Sequence, residues 1–336
     1  MMERATGTGG GVRRFAATDR TIADVVAAKR GRTVAVCIPC RDEGATIGSL
    51  VRSVRSTLMT DGAVHGGRAP EGGPPLVDEL IVMDDNSIDD TAAVATEAGA
   101  TVVPIDDIHL RHGGGAGKGT VLWASLLAST ADILVWIDGD LTSFEPAWVA
   151  GLAAPLLTDP SVALVKADAH RPQGRGGGGR TTELVVRPLL SLYFPRLAGL
   201  HQPLAGEYAV RRSVVEQLPF RQGWGVEIAL LIDIAHRWGP EAIAQVELGV
   251  REHSHRPLES LSVQAAEVMA TILDRIPDGS LLPSGPPVLR RPDGSVVALN
   301  LGERPPVASL AGRGNGVSLG ATPGGNGASR PGRPHP

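Results

Sequence analysis

The chain has 336 residues, 42% hydrophobic and only 3% aromatic, with a formal net charge of −4. That length admits one large α/β domain or two smaller ones around a sizeable core. The mildly acidic balance and the shortage of rings argue against nucleic acid or an anionic membrane surface as partner, and the absence of a long apolar run or signal-like start predicts a soluble, cytoplasmic protein.

Residues 1 to about 20 are rich in Gly, Thr and Arg, without a period, and are expected to be disordered. A strand over Thr33–Ile38 leads to a helix whose apolar face is Ile47, Leu50, Val51, Val54 and Leu58, at helical spacing. The Gly/Pro run Gly66–Pro75 predicts a surface loop. A strand over Leu80–Met83 is followed by a helix through Ala92–Ala98, stopped by Gly99, and a short strand over Thr101–Val103. Then come a helix over Lys118–Ser129, a strand over Ile133–Ile137, a helix over Ala147–Leu157 and a strand over Val162–Val165. This alternation predicts an α/β fold with a Rossmann-like, doubly wound, mostly parallel sheet. Beyond Gly179 helices dominate, around Leu184–Leu192, Val226–Arg237 and Ser260–Ile276. From Pro277 onward Pro, Gly, Arg and Asn predict a largely disordered tail.

The most informative segment is Ile133-Leu134-Val135-Trp136-Ile137-Asp138-Gly139-Asp140. Five apolar residues in a row read as a strand buried on both faces. It ends in two carboxylates, and the carboxyl ends of parallel strands are where open α/β sheets bind ligands. Such a pair suits a hard divalent cation, Mg²⁺ or Mn²⁺, which in turn holds a diphosphate; alternatively, the two acids merely end a strand. Acids recur at Asp42-Glu43 and Asp84-Asp85, after the first two strands, and a right-handed parallel sheet gathers all three sets on one edge.

Lys118 stands at a glycine-rich helix start, Gly113–Gly119, that nearly matches a P-loop. His112 replaces the first glycine, and Gly119 replaces the hydroxyl residue after the lysine, so the match is poor, although a helix start with a lysine still suits an anion. Both cysteines lie in Cys37-Ile38-Pro39-Cys40. A redox pair is one reading and a buried strand residue with a loop neighbour the other; Asp42 and Glu43 oppose thiolate formation, and no further zinc ligands lie nearby.

Together these stretches resemble a known family. Cys37–Glu43 before a helix, IVMDDNSIDDT and GKGTVLWASLLASTADILVWIDGDL are similar to family-2-type glycosyltransferases of the GT-A fold. GGRTTELVVRPLL, QPLAGEYAVRR, GWGVEIALLID and LGVREHSHRPL narrow the resemblance to the actinobacterial glucosyl-3-phosphoglycerate synthases, from about Thr21 to Arg275. The resemblance implies a retaining transfer of glucose from UDP-glucose to the 2-hydroxyl of 3-phosphoglycerate, with Mg²⁺ (or Mn²⁺) and a homodimer. The product would be glucosyl-3-phosphoglycerate, a precursor of glucosylglycerate. The chain is read as a nucleotide-sugar-binding half, 21–168, and a helical acceptor-binding half, 169–276, in a single compact unit, between the disordered 1–20 and the tail 277–336.

Matched position by position, the resemblance implies the following roles. Asp138, Gly139 and Asp140 take the D-x-D place, with Asp140 the direct metal ligand and a catalytic residue; Gly139 stands where relatives commonly have Ser. His253 completes the metal site. Pro39, Asp42, Glu43 and Asp85 hold uridine and Lys118 the nucleotide. Glu227 lies near the sugar as the second catalytic residue. Gly179, Arg180 and Thr182 match the phosphoglycerate-binding loop, and His255 stands where relatives are expected to have Asn. An arginine that closes the glycine-rich run Gly174–Gly179 fits an acceptor bearing phosphate and carboxylate. His201 and His236 read as structural. The alternatives are a mannosyl-3-phosphoglycerate synthase using GDP-mannose, a non-catalytic nucleotide-sugar-binding protein, and a phosphotransferase built on Gly113–Gly119.

Overall fold

The computed structural model describes residues 11–59, 74–170, 179–250, 258–277, 279–282 and 285–310. In chain order the elements are β1 (Arg13–Ala16), α1 (Ile22–Ala28), β2 (Val34–Cys40), α2 (Gly44–Leu58), β3 (Glu79–Asp84), α3 (Thr91–Ala98), β4 (Thr101–Pro104), α4 (Ile105–His112), α5 (Lys118–Ala128), β5 (Ile133–Trp136) and α6 (Ala147–Thr158). There follow β6 (Leu164–His170), α7 (Arg187–Tyr193), β7 (Tyr208–Arg211), α8 (Arg212–Val215), β8 (Phe220–Arg221), α9 (Val226–Trp238), β9 (Ile243–Val250), α10 (Leu258–Asp274), β10 (Val288–Arg290), β11 (Val296–Ala298) and β12 (Glu303–Arg304).

Eight strands form one sheet in the order β1-β9-β6-β7-β5-β2-β3-β4. All neighbours are parallel except β7, which runs antiparallel to β5 and β6. The mostly parallel expectation therefore holds, and its cause is visible in β2 and β5. Every residue of these strands but Pro39 is buried, because helices cover both faces. Val34, Val36 and Ile38 face a core shared with α1, α2, α3 and α6. Ala35 and Cys37 face the opposite core, built from α4, α5, α7, α9 and α10. The predicted face of α2, from Ile47 to Leu58, is buried in full, and α3 ends on Gly99 with φ at +100°, a left-handed cap that glycine adopts without a Cβ penalty.

β2 pairs with β3 on one side and β5 on the other. The chain winds outward to β4 and then returns past β2, so the strand order reverses there and opens a crevice at the carboxyl ends.

The two halves share the sheet, with β6, β7 and β9 continuing it past residue 168. Two expectations are corrected, at the N-terminal segment and in the tail. The N-terminal segment is not without structure throughout, because Arg13–Ala16 adds an edge strand to β9. The tail is ordered over much of 285–310, where β10 and β11 form a hairpin and β12 pairs with β8. Composition misses this because few apolar side chains dock the segment. Glu303 instead meets Arg275 at 2.7 Å and Arg221 at 3.3 Å, and Arg221 also pairs with Asp274. Residues 1–10, most of the expected loop 66–75, and 311–336 lie outside the described residues. Among the described residues no helix is long and apolar enough to cross a membrane.

Candidate active site

The crevice at the ends of β2, β3 and β5 holds a pocket of about 380 Å³. Pro39, Glu43, Asp85, Lys118, Asp138, Gly139 and Asp140 all line it, as anticipated from strand-end acids gathered on one edge. Cys40, Arg41, Gly117, Val121 and Trp224 complete the wall; of these, Trp224 carried a sequence signal, two flanking glycines just before Glu227.

Lys118 is the electrostatic centre. As the first residue of α5 it extends its ammonium to Asp138 Oδ1 at 2.7 Å and Glu227 Oε1 at 2.8 Å. Burial opposes the charge, but the two carboxylates outweigh it and raise the lysine pKa well above its ordinary value. Glu227, at the start of α9, is buried, with a relative exposure of 5%. Asp138 is thus committed to Lys118, whereas Asp140 Oδ1 is buried with no hydrogen-bond partner among the described residues. An orphaned carboxylate oxygen inside an acid-lined pocket fits a hard divalent cation, because such an atom is costly unless something electropositive reaches it. His253, the expected second ligand, and His255 lie outside the described residues, within which no cluster of three ligand side chains occurs.

Gly139 has a steric reason. A Cβ there would approach Cys40 Sγ to 2.7 Å and Pro39 O to 3.3 Å. The Thr46 hydroxyl donates to the Gly139 carbonyl at 2.6 Å, tying the start of α2 to the acid pair. The backbone of Glu43 donates to Thr91 Oγ at 2.7 Å, leaving its side chain on the pocket wall. Burial raises the pKa of Asp85, against the opposing charge of Arg41 3.8 Å away. Asp42 is the exception among the expected uridine contacts. It does not line the pocket; its Oδ1 accepts the Ile88 amide at 2.8 Å and its own amide donates to Ser87 Oγ at 3.0 Å. With φ at +59°, it shapes the loops rather than the wall.

Behind the acids lie residues that the sequence did not single out. Gly206 packs against the carboxylate of Asp138 so closely that a Cβ would overlap it. Lys166, fully buried on β6, donates to the Ala205 carbonyl just before Gly206 and lies 4.1 Å over the Tyr208 ring. Burial pushes its pKa down to about 7. A single lysine in an apolar strand carries no motif, so only packing reveals it.

The residues expected to receive the acceptor are not among those that line this pocket. Gly179, with φ at +91°, accepts the Glu183 amide at 2.8 Å through its carbonyl and starts the helical stretch containing Arg180 and buried Thr182. These three share one turn, but Gly174–Gly178 lies outside the described residues. His201 pairs with Asp168 at 2.7 Å.

Two alternative readings lose their geometry. Cys37 and Cys40 are buried free thiols; burial pushes Cys37 up to about 12 and raises Cys40 further, with Glu43 and the neighbouring acids adding to it, so neither is a low-pKa redox thiol. The P-loop-like segment has its helix start filled by protein: the Thr120 amide donates to Gln222 O at 3.2 Å, and a Cβ on Gly119 would collide with Arg221 O.

With this geometry in hand, the chain compares closely with known proteins. The Glycosyl transferase family 2 model matches residues 35–218. The glucosyl-3-phosphoglycerate synthase of Mycolicibacterium paratuberculosis is 45% identical over 276 residues, 78% of each chain. That of Petrotoga mobilis is 43% identical over 254 residues, 74% of each. The crystal structure of the Mycobacterium tuberculosis glucosyl-3-phosphoglycerate synthase with Mn²⁺, UDP-glucose and phosphoglyceric acid matches with a TM-score of 0.76 at 42% identity, covering 87% of this chain and 95% of that one. The same enzyme with Mg²⁺ and UDP gives 0.76 at 40%, covering 89% and 99%. The acid-lined crevice thus belongs to a family 2 glycosyltransferase fold, and the chain is a member of the glucosyl-3-phosphoglycerate synthases.

Proposed function

We propose that the protein moves glucose from UDP-glucose to the 2-hydroxyl of 3-phosphoglycerate with retention, giving glucosyl-3-phosphoglycerate. The observation that carries this reading is Lys118 bridging Asp138 and Glu227 at a crevice at the sheet's switch point, beside an Asp140 oxygen with no hydrogen-bond partner among the described residues. The relatives' complexes with UDP-glucose, phosphoglyceric acid and Mn²⁺ support the same assignment.

In this reading Pro39, Glu43 and Asp85 receive the uridine, at the ends of β2 and β3. Asp140, with His253, holds a divalent cation, Mg²⁺ or Mn²⁺, which when bound neutralises charge developing on the departing diphosphate. Lys118 holds Asp138 and Glu227 in fixed directions. Glu227, so restrained, orients the sugar and is not assigned the part of a nucleophile. Gly179, Arg180 and Thr182, with His255, receive the acceptor's phosphate and carboxylate, a task suited to the planar guanidinium. Residues 21–168 supply most of the donor contacts and 169–276 the acceptor contacts, with Trp224, Glu227 and His253 reaching the donor from the second half. The protein acts as a cytoplasmic homodimer, which sedimentation would check by giving twice the 34.9 kDa chain mass.

The test is nucleoside-diphosphate release from UDP-, ADP- and GDP-sugars with Mg²⁺, with and without 3-phosphoglycerate. Release of UDP from UDP-glucose that requires 3-phosphoglycerate is the expected result. Release from GDP-mannose alone would reassign the donor, and no release from any sugar would leave a binding protein.

A further inference from the structure

One buried carboxylate beside the donor pocket joins three separate segments. Glu267, on α10, has a relative exposure of 5%. Its Oε2 accepts the Trp224 amide at 2.8 Å, and its Oε1 accepts the Asn300 amide at 2.8 Å. Trp224 lines the pocket, and Glu227, three residues on, meets Lys118. The approach is so close that a Cβ on Gly223 would overlap the Glu267 carboxylate, and one on Gly225 would overlap Thr271. The glycines around Trp224 are therefore what lets α10 seat this loop.

The C-terminal side of the bridge continues to the other loop. Asn300 Nδ2 donates to Ala116 O at 2.8 Å. Arg304 donates to the carbonyls of His112, Gly113 and Gly114 at 2.9, 3.0 and 2.7 Å and lies 3.9 Å over the Trp123 ring. The Trp123 indole N–H donates to Pro305 O at 2.7 Å. Residues 300–305 thus grip the turn that leads into Lys118, while Glu267 grips the turn that leads into Glu227. Apolar packing alone would hold a strap to the body. Here fixed, directional bonds converge on the turns ahead of Lys118 and Glu227, which pair at 2.8 Å.

We propose that Glu267, with Asn300 and Arg304 of the strap, is a positioning element of the donor site that sets Trp224, Glu227 and Lys118 relative to one another. This rests on the donor reading above. None of the three lines the pocket, so their effect passes through the residues they hold, and small displacements of such residues are costly to binding and turnover.

The test is UDP binding with Mg²⁺ by calorimetry, together with steady-state kinetics, on wild type, Glu267→Gln, Arg304→Lys and Asn300→Ala. Glutamine keeps the volume but turns an NH₂ toward one of the two amides, so a donor–donor clash replaces one bond. We expect UDP affinity to fall and KM for UDP-glucose to rise about tenfold in Glu267→Gln, with KM for 3-phosphoglycerate unmoved. Arg304→Lys keeps charge but loses the three-carbonyl fork, and a smaller change of the same pattern is expected; this variant and Asn300→Ala carry the test if Glu267→Gln does not fold. Wild-type UDP affinity and donor KM in folded Glu267→Gln and Arg304→Lys would overturn the proposal. So would a fall in kcat that merely tracks the folded fraction with both KM values unchanged. A wild type that binds no UDP would instead overturn the donor reading itself, a result told apart by the wild-type control.

Discussion

Gly206 leaves no room for any side chain between its backbone and the carboxylate of Asp138. The acid that Lys118 grips from one side is therefore backed from the other by bare main chain, itself held by the Lys166 ammonium through the Ala205 carbonyl. Asp138 is clamped, whereas Asp140 keeps a buried oxygen without a hydrogen-bond partner among the described residues. The two acids of one Asp-Gly-Asp thus stand in different surroundings, one paired with a lysine and the other with an oxygen that no described residue satisfies.

Gly206→Ala tests the clamp. The added methyl must displace Asp138 and with it Lys118, and we expect kcat/KM to fall roughly 100-fold, as misplacement of a fixed group does, with overpacking costing about 1–3 kcal/mol of stability. Steady-state UDP release and urea denaturation measure both; unchanged kinetics would show that the close approach has no bearing on turnover.

Removing the shared cation is a harsher change. Lys118→Met leaves Asp138 and Glu227 facing each other without their counter-charge, and breaking a buried pair from one side costs about 3–5 kcal/mol. Adding Glu227→Gln to Lys118→Met should recover part of that loss without restoring activity. A double variant no more stable than Lys118→Met would mean that the two carboxylates do not depend on this lysine.

Asp140 and the cation make a separate prediction. Asp140→Asn is nearly isosteric, so the fold should stand while turnover falls about 100- to 1000-fold, the scale of losing a main electrostatic stabiliser. Excess EDTA should abolish activity and Mg²⁺ or Mn²⁺ should restore it. Full activity in EDTA would remove the cation from the reaction.

Lys166 predicts a stability profile. Its native pKa of about 7 lies below the ordinary 10.5, so between these values the unfolded chain binds more protons and native stability rises with pH. Below pH 7 both states are protonated and the native state bears the full cost of the buried charge, about 5 kcal/mol by linkage. Lys166→Met removes that slope. From pH 7 to pH 9 the wild type should gain about 2–3 kcal/mol relative to Lys166→Met in urea denaturation; parallel profiles would refute it.

The thiols predict silence. Cys37 and Cys40 are buried, with burial raising both pKa values, so neither should react with a disulfide reagent at pH 8 until the protein is unfolded. Rapid labelling of either in the native enzyme would contradict the core assignment.

The strands, the helix faces and the acid edge were all written locally. Buried parallel strands are apolar without alternation, a helix on a core repeats its apolar residues every three or four positions, and acids that close such strands fall on one edge whatever else the chain does. That much predicts Glu43, Asp85, Asp138 and Asp140 on one edge, with Lys118 at a helix start nearby, and all five line one pocket. The same logic does not see that Asp42, with a left-handed backbone, turns its carboxylate to the Ile88 amide, and it dismissed residues 285–310 because strapping by hydrogen bonds leaves no apolar period. Which acid of the pair is clamped, which lysine is buried without a motif and which carboxylate joins Trp224 to Asn300 were decided only by tertiary packing. These contacts link residues far apart in the chain, and their energies depend on burial and direction, which no local pattern encodes.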